Sequence, residues 1–219
     1  MSIFDFFQKK RGYEQELAIL YGNEKYEQVI SRATEIFGDN KNIPLNIKKI
    51  VALSYYYTKD YANSLILFEQ IALKNNDVAS WFNVLTSLFP LNKTQQAKEV
   101  FNKILKMHKG AKSTGTGNHF LPQLCVPYIR YYYACGLAEA GLFEDSFEQL
   151  NELKQVYIKT KITDDTFLYM RGIPFLSSFL EVAKKVCAGL NITFSTFLQD
   201  LDSQIDDDGK ALIKRHQAN

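Results

Sequence analysis

Four segments of the chain carry one spacing of side chains: an aromatic residue or threonine, a small residue three positions on, a bulky apolar residue at seven and an aliphatic one at ten. The spacing reads Tyr61, Ser64, Phe68, Ile71 and again Phe143, Ser146, Leu150, Leu153. Thr94, Ala97, Phe101, Ile104 repeat it, and Tyr26, Val29, Ala33, Ile36 give a looser first copy. Steps of three and four residues place each set on one face of a helix. A second helical pattern precedes the copies: Val51, Ala52, Tyr55; Trp81, Val84, Leu85, Leu88; Tyr133, Ala134, Leu137. Short breaks at 22–25, 58–60 and 140–142 separate the two patterns, so each unit reads as a helical hairpin. The chain also writes three tyrosines in a row twice, at 55–57 and 131–133. Superposing the triplets throws the following segments out of step, so the later spacing defines the unit.

A hairpin with two apolar faces cannot bury both alone, so neighbours must stack and the ends must be capped. The distance from Tyr26 to Tyr61 is 35 residues and from Tyr61 to Thr94 it is 33, near the ~34-residue period of paired-helix repeats. With Trp81, Ala97 and Phe101, and with Ala52, Tyr55 and Phe68, the segment 13–153 resembles the tetratricopeptide repeat family. Lys48 and Arg130 stand where that family often has Trp, Asn76 where it commonly has Pro, and Glu16 where an aliphatic residue is expected. The resemblance implies an all-α, right-handed superhelical solenoid of antiparallel helix pairs. From Thr94 to Phe143 is 49 residues, and the surplus falls in a Gly-, Ser- and Thr-rich loop at 106–122, whose part 109–118 is expected to be mobile.

Beyond the repeats, 174–187 reads as a helix apolar on two sides, with Phe175, Phe179, Val182, Val186 and with Leu176, Leu180, Ala183, Cys187. Gly189 is placed to stop it. Thr193 then caps a helix carrying Phe194, Phe197, Leu198, Leu201 and Ile205, with Asp200 and Asp202 turned outward. The organisation expected is therefore an N-terminal segment at 1–12, repeats at 13–155 and C-terminal capping helices at 156–219.

Composition narrows the chemistry. A chain of 219 residues, 46% hydrophobic, can bury a real core. A net charge of +2 announces neither nucleic acid nor an anionic membrane. Three cysteines without metal-like spacing suit a reducing compartment. The opening Phe4, Phe6 and Phe7 are interrupted by Asp5 and followed by Lys9, Lys10 and Arg11, the wrong order for a signal peptide. No run reaches the ~18 to 20 apolar residues of a membrane span, so a cytoplasmic protein is expected.

The loop holds Lys106, His108, Lys109, Lys112, Gly115, Gly117 and His119. A phosphate-binding loop needs its Lys after the last glycine, and here Lys112 precedes them. His108, His119 and Cys125 lack a fourth zinc ligand and any familiar spacing. In the acidic run 200–209, a calcium register anchored on Gly209 puts Gln204 and Arg215 where carboxylates are required, so those Asp residues read as turn or cap. Cys135 and Cys187 sit in apolar helical contexts, and only His108, His119 and His216 could act as bases. No catalytic constellation and no cofactor site emerges, and the chain reads as no enzyme.

What the resemblance implies instead is a concave groove lined by the first helix of each pair, holding a segment of a partner protein. The residues so placed are Arg11, Glu14 and Tyr21; Asn46, Lys49, Leu53, Tyr56 and Tyr57; Phe82, Thr86 and Phe89; and Tyr128, Tyr131 and Cys135. Aromatics of this kind anchor protein interfaces. The family's carboxylate clamp is not reproduced, since Leu53 stands where its Asn belongs. The expected role is a chaperone- or bacterial immunity-type protein that sequesters one toxic or secreted partner. Alternatives are a scaffold joining two partners, and a nucleic-acid contact through the basic residues of 106–112.

Overall fold

The computed structural model describes residues 3–38, 42–110 and 121–218, with side chains from residue 12 onward. The described residues form α-helices and short 3-10 turns and no strand. In order these are α1 Ile3–Gly22, α2 Tyr26–Phe37, α3 Leu45–Tyr57, α4 Tyr61–Asn75, α5 Val78–Leu88, α6 Thr94–Gly110, α7 Val126–Glu139, α8 Phe143–Thr160, α9 Asp165–Met170, α10 Leu176–Gly189, α11 Phe194–Asp202 and α12 Asp207–Ala218. The chain divides into two compact units, Met1–Leu91 and Asn92–Asn219. The segment 3–12, set apart in the sequence reading, is continuous with the first helix. Residues 106–110, assigned to the loop, continue α6 instead. The rest of the expected mobile segment, 111–120, lies outside the described residues.

The first unit is built of successive packed helices. α1 packs on α2, α3 on both, α4 on α3 and α5 on α4. In the second unit α7 packs on α8, and α10 rests on both of them as α3 rests on α1 and α2. α11 lies against α8 and α10, and α12 closes over α10 and α11.

One turn geometry recurs. Glu24, Lys59, Asn92, Gly141 and Asn191, just ahead of α2, α4, α6, α8 and α11, all take the left-handed region, with φ of 58°, 65°, 55°, 76° and 56°. In four of these turns the amide that follows reaches back to the carbonyl five residues earlier: Lys25 to Leu20, Asp60 to Tyr55, Leu142 to Leu137 and Ile192 to Cys187, at 2.9–3.0 Å. This satisfies the free carbonyls at the helix end and reverses the chain in three residues. The pair α10/α11 thus shares the repeats' turn and seating although it lacks their side-chain spacing. The helix stop that sequence assigned to Gly189 is completed by Asn191, and Thr193 sits at the cap position of α11 with no capping bond from its side chain.

The side-chain spacing accounts for the hairpin packing. Val29, Ala33, Ser64, Phe68, Ile71, Ala97, Phe101, Ile104, Ser146, Leu150 and Leu153 are all buried. Ser64 Oγ donates to the Ala52 carbonyl at 2.9 Å, and Ser146 Oγ donates to the Ala134 carbonyl at 2.8 Å, twelve residues back in both cases. A small side chain lets the paired helices approach, and its hydroxyl bonds the backbone it then touches. The departures from the family pattern also have local causes. Asn76 is left-handed, with φ of 49°, a conformation closed to Pro, and its Oδ1 accepts the Trp81 indole N–H at 3.2 Å. Lys48 and Arg130 extend long stems whose heads donate to Gln70 and Gln149. Glu16 receives Arg32 Nε of α2 at 2.8 Å.

The end of the second unit is held by polar contacts, among them one at Asp200, which the sequence reading turned outward. Asp200 does not point freely outward: its Oδ1 lies 2.9 Å from Nζ of the buried Lys154, which also donates to the Phe197 carbonyl at 2.9 Å and sits 4.4 Å from the Phe197 ring centroid. A buried ammonium needs such partners, and they tie α8 to α11. Oδ1 of Asp202 is buried as well. Tyr157, wholly buried, donates its hydroxyl to the Pro174 carbonyl at 2.7 Å. Asp206 accepts from the Thr163 amide at 2.8 Å, the Thr163 hydroxyl at 2.5 Å and the Gly209 amide at 3.0 Å, capping α12 and pinning the segment after α8.

Three stability predictions follow from these contacts. A Cβ on Gly141 would meet nothing within 4 Å, so Gly141→Ala should cost about 1 kcal/mol through backbone conformation alone, and Lys59→Gly should recover a similar amount. Urea melts in which the two substitutions have the same sign would refute the shared turn. Ser64→Leu and Ala97→Leu should each destabilise by ~1–3 kcal/mol, because the larger side chain forces close helices apart; wild-type melts would place these residues elsewhere. Burial alone would raise the Asp206 carboxyl, but the bonds from Thr163 and Gly209 outweigh it and hold it below its ordinary value. Its contribution is therefore complete above the unfolded carboxylate pKa near ~3.9 and is lost as pH falls through the lower folded value. Unfolding followed from pH 5 to pH 2 should lose part of its acid dependence in Asp206→Asn, and an unchanged profile counts against the cap.

Candidate functional site

On the first unit, α3 turns Asn46 and Lys49 fully to solvent and Leu53 and Tyr56 partly so, while Tyr57 at its end is 52% exposed. Tyr57 belongs to a cluster of five tyrosines. It stacks on Tyr26 at 4.7 Å between centroids, lies 6.5 Å from Tyr21 and meets Tyr56 edge-on at 6.1 Å, and Tyr56 in turn meets Tyr61 at 5.3 Å. Burial, then the neighbouring Tyr57, pushes the Tyr21 phenol up to about 12. The cluster presents ring faces, ring edges and hydroxyls at the turn ends of α1/α2 and α3/α4. On α5, Phe82 and Thr86 are half-buried, Thr86 Oγ1 donating to the Asn83 carbonyl at 3.1 Å, and Phe89 begins the 3-10 turn that follows. Glu14 is half-buried on α1. Arg11 also lies on α1, with its side chain outside the described ones.

On the second unit the groove candidates divide. Tyr128 and Tyr132 stack at 6.3 Å on the accessible side of α7. Tyr131 instead turns toward α10, within hydrogen-bonding reach of Cys135 and Ser178, and burial raises its phenol well above the ordinary value. Both partners are half-buried, and Tyr131 packs partly buried against the core that α10 helps to form. Burial also raises the Cys135 thiol to about 11 and lifts Cys125 and Cys187. None is held as a thiolate at neutral pH, which is what a nucleophile requires.

Sequence reasoning did not single out a cleft of about 220 Å³ beside the Phe101–Tyr133 stack, whose rings lie 4.0 Å apart. Asp145, Glu148 and Gln149 of α8 and Lys98 and Asn102 of α6 complete its lining. Burial, then these two carboxylates, pushes the Tyr133 phenol up to about 12.

His108 lies on α6, Cys125 at the start of α7, and His119 outside the described residues, so the zinc trio is not brought together among the described residues. No group of three His, Cys, Asp or Glu side chains among them could hold a metal ion. No helix among them is long and apolar enough to cross a membrane. No protein-family model matches the sequence, and comparison with curated proteins gives no match.

Proposed function

We propose that the chain is a non-enzymatic protein-binding module of the tetratricopeptide type, a right-handed solenoid of helix pairs that holds a polypeptide partner on the face made by the first helices. The observation that carries this reading is the contrast between two sets of apolar residues. The small and bulky positions of the repeated spacing are buried, whereas Leu53, Tyr56, Phe82 and Phe89 are only half-buried and Tyr57 is half exposed. A hairpin array that needed its aromatics only for its own core would not leave so many of them reaching water, and Tyr and Phe are the side chains that anchor interfaces. A single-partner role, as a chaperone- or immunity-type protein that sequesters a toxic or secreted protein, suits an array this short without an appended catalytic centre.

The test separates binding from folding. Tyr57→Ala and Phe82→Ala should melt within about 1 kcal/mol of the parent protein, while affinity for a partner identified by cross-linking and mass spectrometry falls roughly thirtyfold per anchor, equivalent to ~2 kcal/mol. Calorimetric titration reads the affinity. Unchanged affinity in both variants would move the binding surface elsewhere, and global unfolding would make these aromatics part of the core.

A further inference from the structure

The chain departs from its own period in two places, and the two meet. One surplus segment precedes α7 and ends in the 3-10 turn Pro122–Leu124. The other lies between α8 and α10 and contains α9. Gly172, with φ of 64°, brings the backbone after α9 so close to the first segment that a Cβ there would fall 2.3 Å from Cys125 Sγ. Insertions in a repeat scaffold that converge on one spot are a recurrent way to build a binding site.

At this spot the surface opens into a cleft of about 500 Å³, within the range of small-ligand sites. Four of its lining residues are apolar, Pro127 from α7, Val156 from α8, Phe167 from α9 and the core residue Ile173, and Thr160 beside them donates its hydroxyl to the Val156 carbonyl at 2.7 Å. Two exposed cations border it, Lys159 and Arg171. The Arg171 guanidinium lies over the Phe167 ring at 5.0 Å, which orients the group and leaves its N–H edges free to donate. Neither cation has an ion-pair partner among the described residues. Of the nearby acids, Asp164 is engaged in capping α9 through the Phe167 amide at 2.8 Å, and Asp165 lies beside Tyr128. Lys159 also offsets the negative end of α8, a role that does not require an apolar wall beside it. Near the lining residues in sequence, Leu121, Ile162, Tyr169 and Met170 are exposed, four of the ten large hydrophobic residues exposed among the described ones.

We infer that this cleft binds a carboxylate carried on an apolar body, the acid between Lys159 and Arg171 and the apolar part against Phe167, Val156 and Ile173. The site is separate from the aromatic face proposed above and does not depend on it. The probe is 4-phenylbutyrate, titrated into the isotope-labelled full chain and followed by amide shifts, with 4-phenylbutanamide as its uncharged counterpart. The acid should shift residues 156–160 and 167–173, and the amide should bind at least fivefold more weakly. A double substitution, Lys159→Gln with Arg171→Gln, should weaken the acid by a similar factor with an unchanged melting curve, because both side chains are exposed. N-acetyl-leucyl-phenylalanine with a free carboxylate identifies the source: tighter binding than phenylbutyrate assigns a polypeptide terminus, and weaker binding assigns a small organic acid. Equal binding of acid and amide, full binding by the double variant, or shifts confined to other surfaces would overturn the inference.

Discussion

The close approach of paired helices at one small residue is the constraint on which the remaining packing depends. Ser64 and Ser146 sit where two backbones meet, and each hydroxyl bonds the carbonyl twelve residues earlier. That contact is available only if the chain reverses within three residues, which the left-handed residues Lys59 and Gly141 provide. A wider turn would shift the second helix along the first and place the serine opposite a side chain. The bulky positions four residues further on, Phe68 and Leu150, are then directed into the core.

Much of this was legible because spacing along a helix fixes which side chains share a face. The four copies of the spacing located α2, α4, α6 and α8, and the short polar breaks located the turns. The reading fell short where burial depends on partners distant in sequence. Asp200 looks like a solvent residue in isolation, yet it neutralises Lys154, 46 positions earlier. Tyr131 occupies a groove position in the repeat register, and it packs partly buried against the core that α10 helps to form because a later hairpin takes the same seat relative to α7/α8 that α3 takes relative to α1/α2. The pair α10/α11 escaped notice as a hairpin of this kind since its resemblance lies in turn geometry and seating, which four residue types, at Glu24, Lys59, Asn92, Gly141 and Asn191, support.

Three residues that stand apart from the tetratricopeptide pattern in the sequence are each engaged locally. The Lys48 and Arg130 heads donate to Gln70 and Gln149. Asn76 closes α4 as a left-handed residue and accepts the Trp81 indole N–H of α5.

The two surfaces proposed for recognition carry side chains outside the repeated hairpin contacts. Exposed aromatic rings and unpaired cations both forgo stabilisation that a simpler side chain would give, since apolar area left in water contributes nothing at ~25 cal/mol per Å² and an exposed charge next to an apolar wall hinders neighbours from covering it. On the proposed readings, recognition draws on a ring-rich surface of the first unit and on a cationic, partly apolar cleft of the second.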